Sequence, residues 1–132
     1  MLPPDADWVS RLADETIAEA RASRAPHGAP DWQVEAWIST YTAIRDGELD
    51  LVVVSEVGYF LTPFELWLTL GGLIERLAPG GELVLVSWRH ATRGIPLDGP
   101  RVHAQVRAVC DRWSVVTLVE EDVLIDVYEA SR

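Results

Sequence analysis

The stretch that most constrains this chain is residues 48–90. It holds two unbroken apolar runs, Leu51-Val52-Val53-Val54 and Leu83-Val84-Leu85-Val86. Strands apolar on both faces belong in the interior of a parallel sheet. Thr62-Pro63-Phe64-Glu65 lies between them and combines two helix-start signals. One is a capping box; the other is proline at the first helical position. Phe64, Trp67, Leu68, Leu70, Leu73, Ile74 and Leu77 then supply a broad apolar face for a helix over 63–77. Gly71 and Gly72 inside it cost about 1 kcal/mol each against alanine. Pro79-Gly80-Gly81 stops the helix, and the second strand runs over 82–88. Strand–helix–strand of this length makes a parallel pair, and such sheets put ligands at their carboxyl ends. Two polar tips stand there: Ser55-Glu56 after the first strand, and Trp88-Arg89-His90 at the end of the second.

The flanking segments complete an α/β plan. Residues 1–7 read as a tail and 8–12 as a short strand. Asp14 is placed to cap a helix reaching Arg24, with Thr16, Ile17 and Ala20 along one face. Pro26, Gly28 and Pro30 form a loop. The alternation of Trp32, Val34, Ala36 and Ile38 suits a strand. The segment from Ser39 to Gly47 is irregular, with room for a short helix over 40–44. Asp98 caps a helix over 100–113 whose inner face carries Val102, Val106, Val109 and Cys110. Two last strands, 114–119 and 123–129, are split by Glu120-Glu121-Asp122, a link so short that they must form an antiparallel hairpin. The expected architecture is a mostly parallel sheet with helices on both faces and a C-terminal antiparallel hairpin, all in a single domain over 1–132.

Composition narrows the function. A formal net charge of −10 opposes nucleic-acid binding, which needs clustered Lys and Arg. No apolar run reaches a membrane span, and Met1-Leu2-Pro3-Pro4-Asp5 is not a secretion signal. The reading is a cytoplasmic protein with no membrane partner. Cys110 is the only cysteine and reads as a small buried hydrophobe. His27, His90 and His103 lack ligand spacing, so no metal site is expected. No nucleophile elbow or phosphate-binding P-loop is present.

At this point the residues resemble a family. The run from Leu49 through Ser55-Glu56-Val57-Gly58-Tyr59-Phe60-Leu61, the join Leu77-Ala78-Pro79-Gly80-Gly81, and Ser87-Trp88-Arg89-His90 look like the later part of class I S-adenosylmethionine-dependent methyltransferases of the nodulation protein S (NodS)-like group. His103 and the ending Asp126-Val127-Tyr128-Glu129 look similar too. The resemblance implies a Rossmann-like methyltransferase fold, S-adenosylmethionine as cofactor, and N- or O-methylation of a saccharide or small-molecule acceptor. The family begins with a strand and a glycine-rich loop, and nothing before residue 14 matches these. The expected fold is therefore an N-terminally truncated one. In an ungapped match the family's ribose-binding carboxylate falls at Arg11, with Asp14 the substitute one register shift away. The adenine-contacting acid falls at Thr40.

Methyl transfer asks the protein to align donor and acceptor and to take a proton from the nucleophile. On the resemblance, Glu56 and His90 are the catalytic candidates. Ser55, Tyr59, Trp88, Arg89 and His103 are candidates for the acceptor, and Asp14, Thr40 and Ser55 for the cofactor. The plainer readings stay open beside these. Glu56 could instead be a solvated carboxylate capping a nearby N–H, Tyr59 a lid on the core, and Trp88 a core residue. Arg89 and His90 could be surface groups paired with the acidic excess, and His103 a structural histidine. A second function stays open as well: a non-catalytic remnant of the fold that binds a partner or forms a homodimer through a free strand edge.

Overall fold

The computed structural model describes residues 8–22, 35, 38, 39, 42, 45, 46 and 49–131, and in Trp8 and Ala20 the backbone alone. Its labelled elements are α1 (Trp8–Ala22), β1 (Leu49–Ser55), a 3-10 turn (Gly58–Phe60), α2 (Pro63–Arg76), β2 (Leu77–Trp88), α3 (Gly99–Val109), β3 (Ser114–Val119) and β4 (Val123–Glu129).

The central unit forms as its sequence dictates. Thr62 and Glu65 make both bonds of the capping box: Glu65 N–H donates to the Thr62 hydroxyl at 3.1 Å, and Thr62 N–H donates to the Glu65 carboxylate at 3.0 Å. Hydrogen bonding to Thr62 in turn holds the Glu65 carboxyl below its ordinary value. The buried stripe of α2 is Leu66, Leu70, Gly71, Gly72 and Arg76, while Phe64 is exposed. The helix stops at Arg76, and β2 begins directly at Leu77. Pro79-Gly80-Gly81 lies inside this strand rather than ahead of it. It coincides with an irregularity in the parallel β1–β2 ladder, which steps from Leu49↔Leu77 to Leu51↔Glu82.

The sheet order is β1-β2-β4-β3. Only β1–β2 is parallel; β2–β4 and β3–β4 are antiparallel. The hairpin is as expected, but β4 inserts between β2 and β3. The described sheet is thus mixed rather than mostly parallel. Among the described strands β1 pairs with β2 alone. Val52 and Val54 are buried, whereas Leu51 and Val53 are 57% and 56% exposed.

One face of the sheet carries the core. Val52, Val54, Leu83, Leu85 and Tyr128 pack with Leu66 and Leu70 of α2 and with Val102 and Val106 of α3. Both of these helices therefore cover the same face. In-register partners share a face of a sheet. The other face therefore carries the row Val53–Val84–Val127–Val116 and, one step along, Val86–Ile125–Leu118.

The N-terminal expectations change most. Residues 8–12 are helical, and Asp14 lies inside α1 instead of capping it. Val9, Ala13 and Ile17, spaced four apart, are the buried stripe of α1, one face of the helix. Arg76 of α2 donates to the Ser10 hydroxyl, tying α1 to the core. Glu35 and Ile38 are helical, so the strand expected over 32–38 is not formed at its described positions. Ser39, Thr42, Arg45 and Asp46 are helical too. Trp32, Val34 and Ala36 of that expected strand, the loop with Pro26, Gly28 and Pro30, and His27 lie outside the described residues. Asp98 caps α3 by accepting from Arg101 N–H at 3.0 Å, and Cys110 is its buried C-cap. Burial pushes the Cys110 thiol up to about 11. Among the described residues no helix is long and apolar enough to cross a membrane.

Candidate functional site

The two polar tips meet at the carboxyl end of the parallel pair. Ser55 ends β1, and Glu56 N–H donates to Val86 O at 2.9 Å, extending the ladder by one residue. Glu56 then turns to φ 58°, a left-handed conformation uncommon outside glycine. The 3-10 turn comes next and is pressed against α3. A Cβ on Gly58 would lie 2.7 Å from Val102 Cγ1, so only glycine fits the contact. The Tyr59 carbonyl accepts from Leu97 N–H at 3.1 Å, and the Thr92 hydroxyl donates to Leu97 O at 2.7 Å, anchoring the loop before α3 to this turn.

This backbone sets the side chains. Tyr59 is buried, and its phenol donates to Glu56 Oε2. Trp88 N–H donates to the same oxygen at 3.1 Å. One carboxylate oxygen thus receives two donors, one from each tip. Oε1 makes no hydrogen bond among the described residues. The bond to Glu56, with burial, holds the Tyr59 phenol above its ordinary value, so it stays a donor at neutral pH.

Trp88 is 43% exposed and is not core. It belongs to the sheet face opposite Ser87, because side chains alternate along β2. Its ring meets that of His90 edge-on, with centroids 4.8 Å apart. Arg89 and His90 reach away, to the β3–β4 turn. Arg89 donates to Glu120 O at 2.9 Å, its N–H donates to Asp122 O at 2.9 Å, and His90 Nε2 lies 2.9 Å from Asp122 Oδ1. Glu56, Tyr59 and Trp88 therefore form one group, while Arg89 and His90 form another on the hairpin tip.

His103 belongs to neither. It is buried, with Nδ1 2.8 Å from Asp126 Oδ2 and Nε2 3.0 Å from Ser87 Oγ. A carboxylate only accepts, so Nδ1–H donates to Asp126 and Nε2 accepts from the Ser87 hydroxyl. Asp126 Oδ1 also accepts from Arg107 at 3.0 Å and from the Thr117 hydroxyl. Burial lowers the His103 pKa; the Asp126 hydrogen bond opposes this without reversing it. The connectivity is that of a Ser–His–Asp relay. Ser87 is only 1% exposed, however, so no substrate carbonyl reaches its Oγ. The group locks β2, α3 and β4 together, and His103 does not face an acceptor. Gly99 completes the packing: a Cβ there would sit 2.1 Å from Trp88 O. Among the described residues, no three His, Cys, Asp or Glu side chains are grouped to hold a metal ion.

No family model matches the sequence, and no curated protein matches it either. Solved structures do. A Pseudomonas syringae protein assigned as a methyltransferase is 28% identical with a TM-score of 0.51, over 63% of this chain and 48% of its own. The N-methyltransferase NodS from Bradyrhizobium japonicum WM9 is 28% identical with a TM-score of 0.52, over 64% of this chain and 53% of its own. NodS has also been solved in complex with S-adenosyl-L-homocysteine, and that structure is 26% identical to this chain with a TM-score of 0.51. The fold is a methyltransferase fold. The resemblance to the NodS-like group, read from residues 49–61 and 77–90, is matched by these structures. The chain spans about half the length of each of these neighbours, 48–53%.

Within this methyltransferase fold, two of the three residues expected to hold a cofactor lie among the described residues. Asp14 lies on α1, exposed, with its Oδ1 3.2 Å from Arg45 Nη1. Thr40 lies outside the described residues. Ser55 stands at the end of β1.

Proposed function

We propose that this chain carries the acceptor side of an S-adenosylmethionine-dependent methyl-transfer site acting on an amine or hydroxyl of a saccharide or small molecule. The observation that carries the reading is Glu56. It is an exposed carboxylate in a left-handed turn at the carboxyl end of the parallel pair, with one oxygen held by Tyr59 and Trp88 and the other available. Backbone held in such a conformation clusters at functional sites. The likeness to NodS supports the same class of reaction.

S-adenosylmethionine, when bound, supplies a methyl group on a reactive sulfonium. The chain's own residues do the rest. Glu56 Oε1 accepts a hydrogen bond from the acceptor and takes its proton as the nucleophile attacks. Tyr59 and Trp88 N–H fix the carboxylate rotamer, so that one geometry is presented and little is lost to reorganisation. The exposed Trp88 ring offers an apolar wall beside the strand end. Arg89 and His90 join substrate binding where the acceptor reaches the hairpin tip.

A second reading is favoured by one specific observation: the Asp14 carboxylate is engaged with Arg45. On this reading the chain is a non-catalytic member of the fold, acting as a binding module. Thermal denaturation with millimolar S-adenosylmethionine or S-adenosyl-L-homocysteine separates the two. A clear rise in Tm supports the enzyme, and no shift favours the binding module.

A further inference from the structure

We propose that His103 is a positioning residue for the Glu56 carboxylate, acting through the Ser87 hydroxyl and the Trp88 peptide N–H, and that only the neutral imidazole holds this geometry. The catalytic consequence of this positioning rests on the role proposed for Glu56; its geometry does not.

The first turns of α3 touch both polar tips. Gly99 lies so close to the second tip that a Cβ there would meet Trp88 O at 2.1 Å and Ser87 Cβ at 3.1 Å. Val102 presses on Gly58, just past Glu56. His103, the next residue, reaches Ser87 Oγ at 3.0 Å. Ser87 and Trp88 share one peptide group, and the N–H of that group donates to Glu56 Oε2 at 3.1 Å. A directed chain therefore joins the two carboxylates. Asp126 accepts from His103, His103 accepts from Ser87, and the Ser87–Trp88 peptide donates to Glu56.

The direction of that chain depends on one proton. Neutral His103 has one N–H, given to Asp126, and one lone pair, given to Ser87. The imidazolium has two N–H groups and no lone pair. It turns the Ser87 bond round, and the Ser87 hydroxyl hydrogen loses its acceptor where Ser87 is only 1% exposed. A buried donor without an acceptor is costly. Moving the end of β2 relieves that cost at the expense of the bond from Trp88 N–H to Glu56.

The surroundings keep the imidazole neutral at neutral pH. α3 packs on the 3-10 turn, α2, β2 and β4. Burial disfavours the imidazolium and prevails; Asp126 of β4 and Glu56 favour it, and Arg107 of α3 itself opposes it. The phenol of Tyr59 in the 3-10 turn is held above its ordinary value by Glu56. Burial pushes the Tyr128 phenol of β4 up to about 12 and the Cys110 thiol up to about 11, so all three stay uncharged. Glu65 of α2 is turned to its own cap, and β2 contributes the neutral Ser87.

The test is NMR on the isotope-labelled full chain, following the His103 ring nitrogens and the Trp88 amide as pH falls. The ring is expected to carry its proton on Nδ1 at neutral pH. The Trp88 amide resonance should shift at the midpoint where His103 gains its second proton. That shift should be lost in Ser87→Ala, where His103 still titrates but no hydroxyl joins it to β2. It should be lost too in His103→Gln, where nothing titrates. A step from Glu56 itself survives in both variants, so the part that disappears belongs to His103. Circular dichroism checks that the variants are folded. A wild-type Trp88 amide that ignores His103 overturns the proposal without any variant. So does a shift of equal size in Ser87→Ala, which would mean that the charge acts through space alone. Unfolding of the wild type before His103 titrates overturns it as well. No S-adenosylmethionine is present, so this test and the cofactor test of the proposed function fail or succeed separately.

Discussion

Glu56 and Asp126 are both carboxylates gripped by a hydroxyl and an N–H, and they do opposite work. Asp126 is buried, and both its oxygens are occupied by His103, Arg107 and Thr117. Every lone pair used there serves packing between β4, α3, β2 and β3. Glu56 is exposed, and its two donors share one oxygen. The first arrangement is closed and stabilising. The second leaves one oxygen without a hydrogen bond among the described residues, as the proposed acceptor role requires. The lesson is that a hydrogen-bonded Ser–His–Asp relay is not a site merely by connectivity; access decides.

Substitutions should pull the two carboxylates apart. The largest effect is expected at Asp126. Asp126→Ala leaves Arg107 and the buried His103 N–H without their acceptor and should destabilise by about 3–5 kcal/mol in urea denaturation. The half-exposed Arg107 can turn to water, which favours the lower end. Ser87→Ala removes one donor to a buried imidazole and should cost about 1–2 kcal/mol.

A pH effect comes next. Burial lowers the His103 pKa in the folded protein, so the unfolded chain binds the proton more readily. Stability should therefore be intact above the ordinary histidine pKa of about 6.5 and fall as pH drops below it toward the folded value. His103→Gln should flatten that part of the profile. An unchanged slope would mean that His103 is not the group responsible.

The smallest effect on stability is expected at Glu56. Glu56→Gln keeps an acceptor for Tyr59 and Trp88 N–H and should change stability by less than about 0.5 kcal/mol. It should lower methyl transfer more than cofactor affinity. Equal losses in both would reduce Glu56 to a holder of the turn and return it to the class of Asp126.

Much of this was legible in the chain because its signals are local. Thr62 and Glu65 specify their own hydrogen bonds. Asp98 caps α3, and Glu120-Glu121-Asp122 is too short to permit anything but a hairpin. Ser55-Glu56 and Trp88 fall at strand ends because strand ends are fixed by where the apolar runs stop. Asp126 and Ser87 left only a weak signal: Asp126 and Tyr128 share one parity in β4, and His103 lies one residue past Val102 on the inner face of α3. Nothing in that pattern says that these three side chains converge. Residues 8–12 carry no pattern that separates strand from helix, since Val9, Ala13 and Ile17 fall on one face of either; the tie from Arg76 to Ser10 and the burial of those three residues belong to the tertiary structure.

The sequence by itself determined the βαβ unit, the capped helices and the polar tips, since each depends on groups within a few residues of one another. Tertiary structure decided the rest. It paired β1 with β2 alone among the described strands although its sequence suits an interior, because strand neighbours are chosen by pairing and not by composition. It buried His103 and exposed Trp88, because the two faces of this sheet are not covered alike. And it brought Glu56 to Trp88 N–H, thirty-two residues away in the chain, through a parallel register that no local pattern encodes.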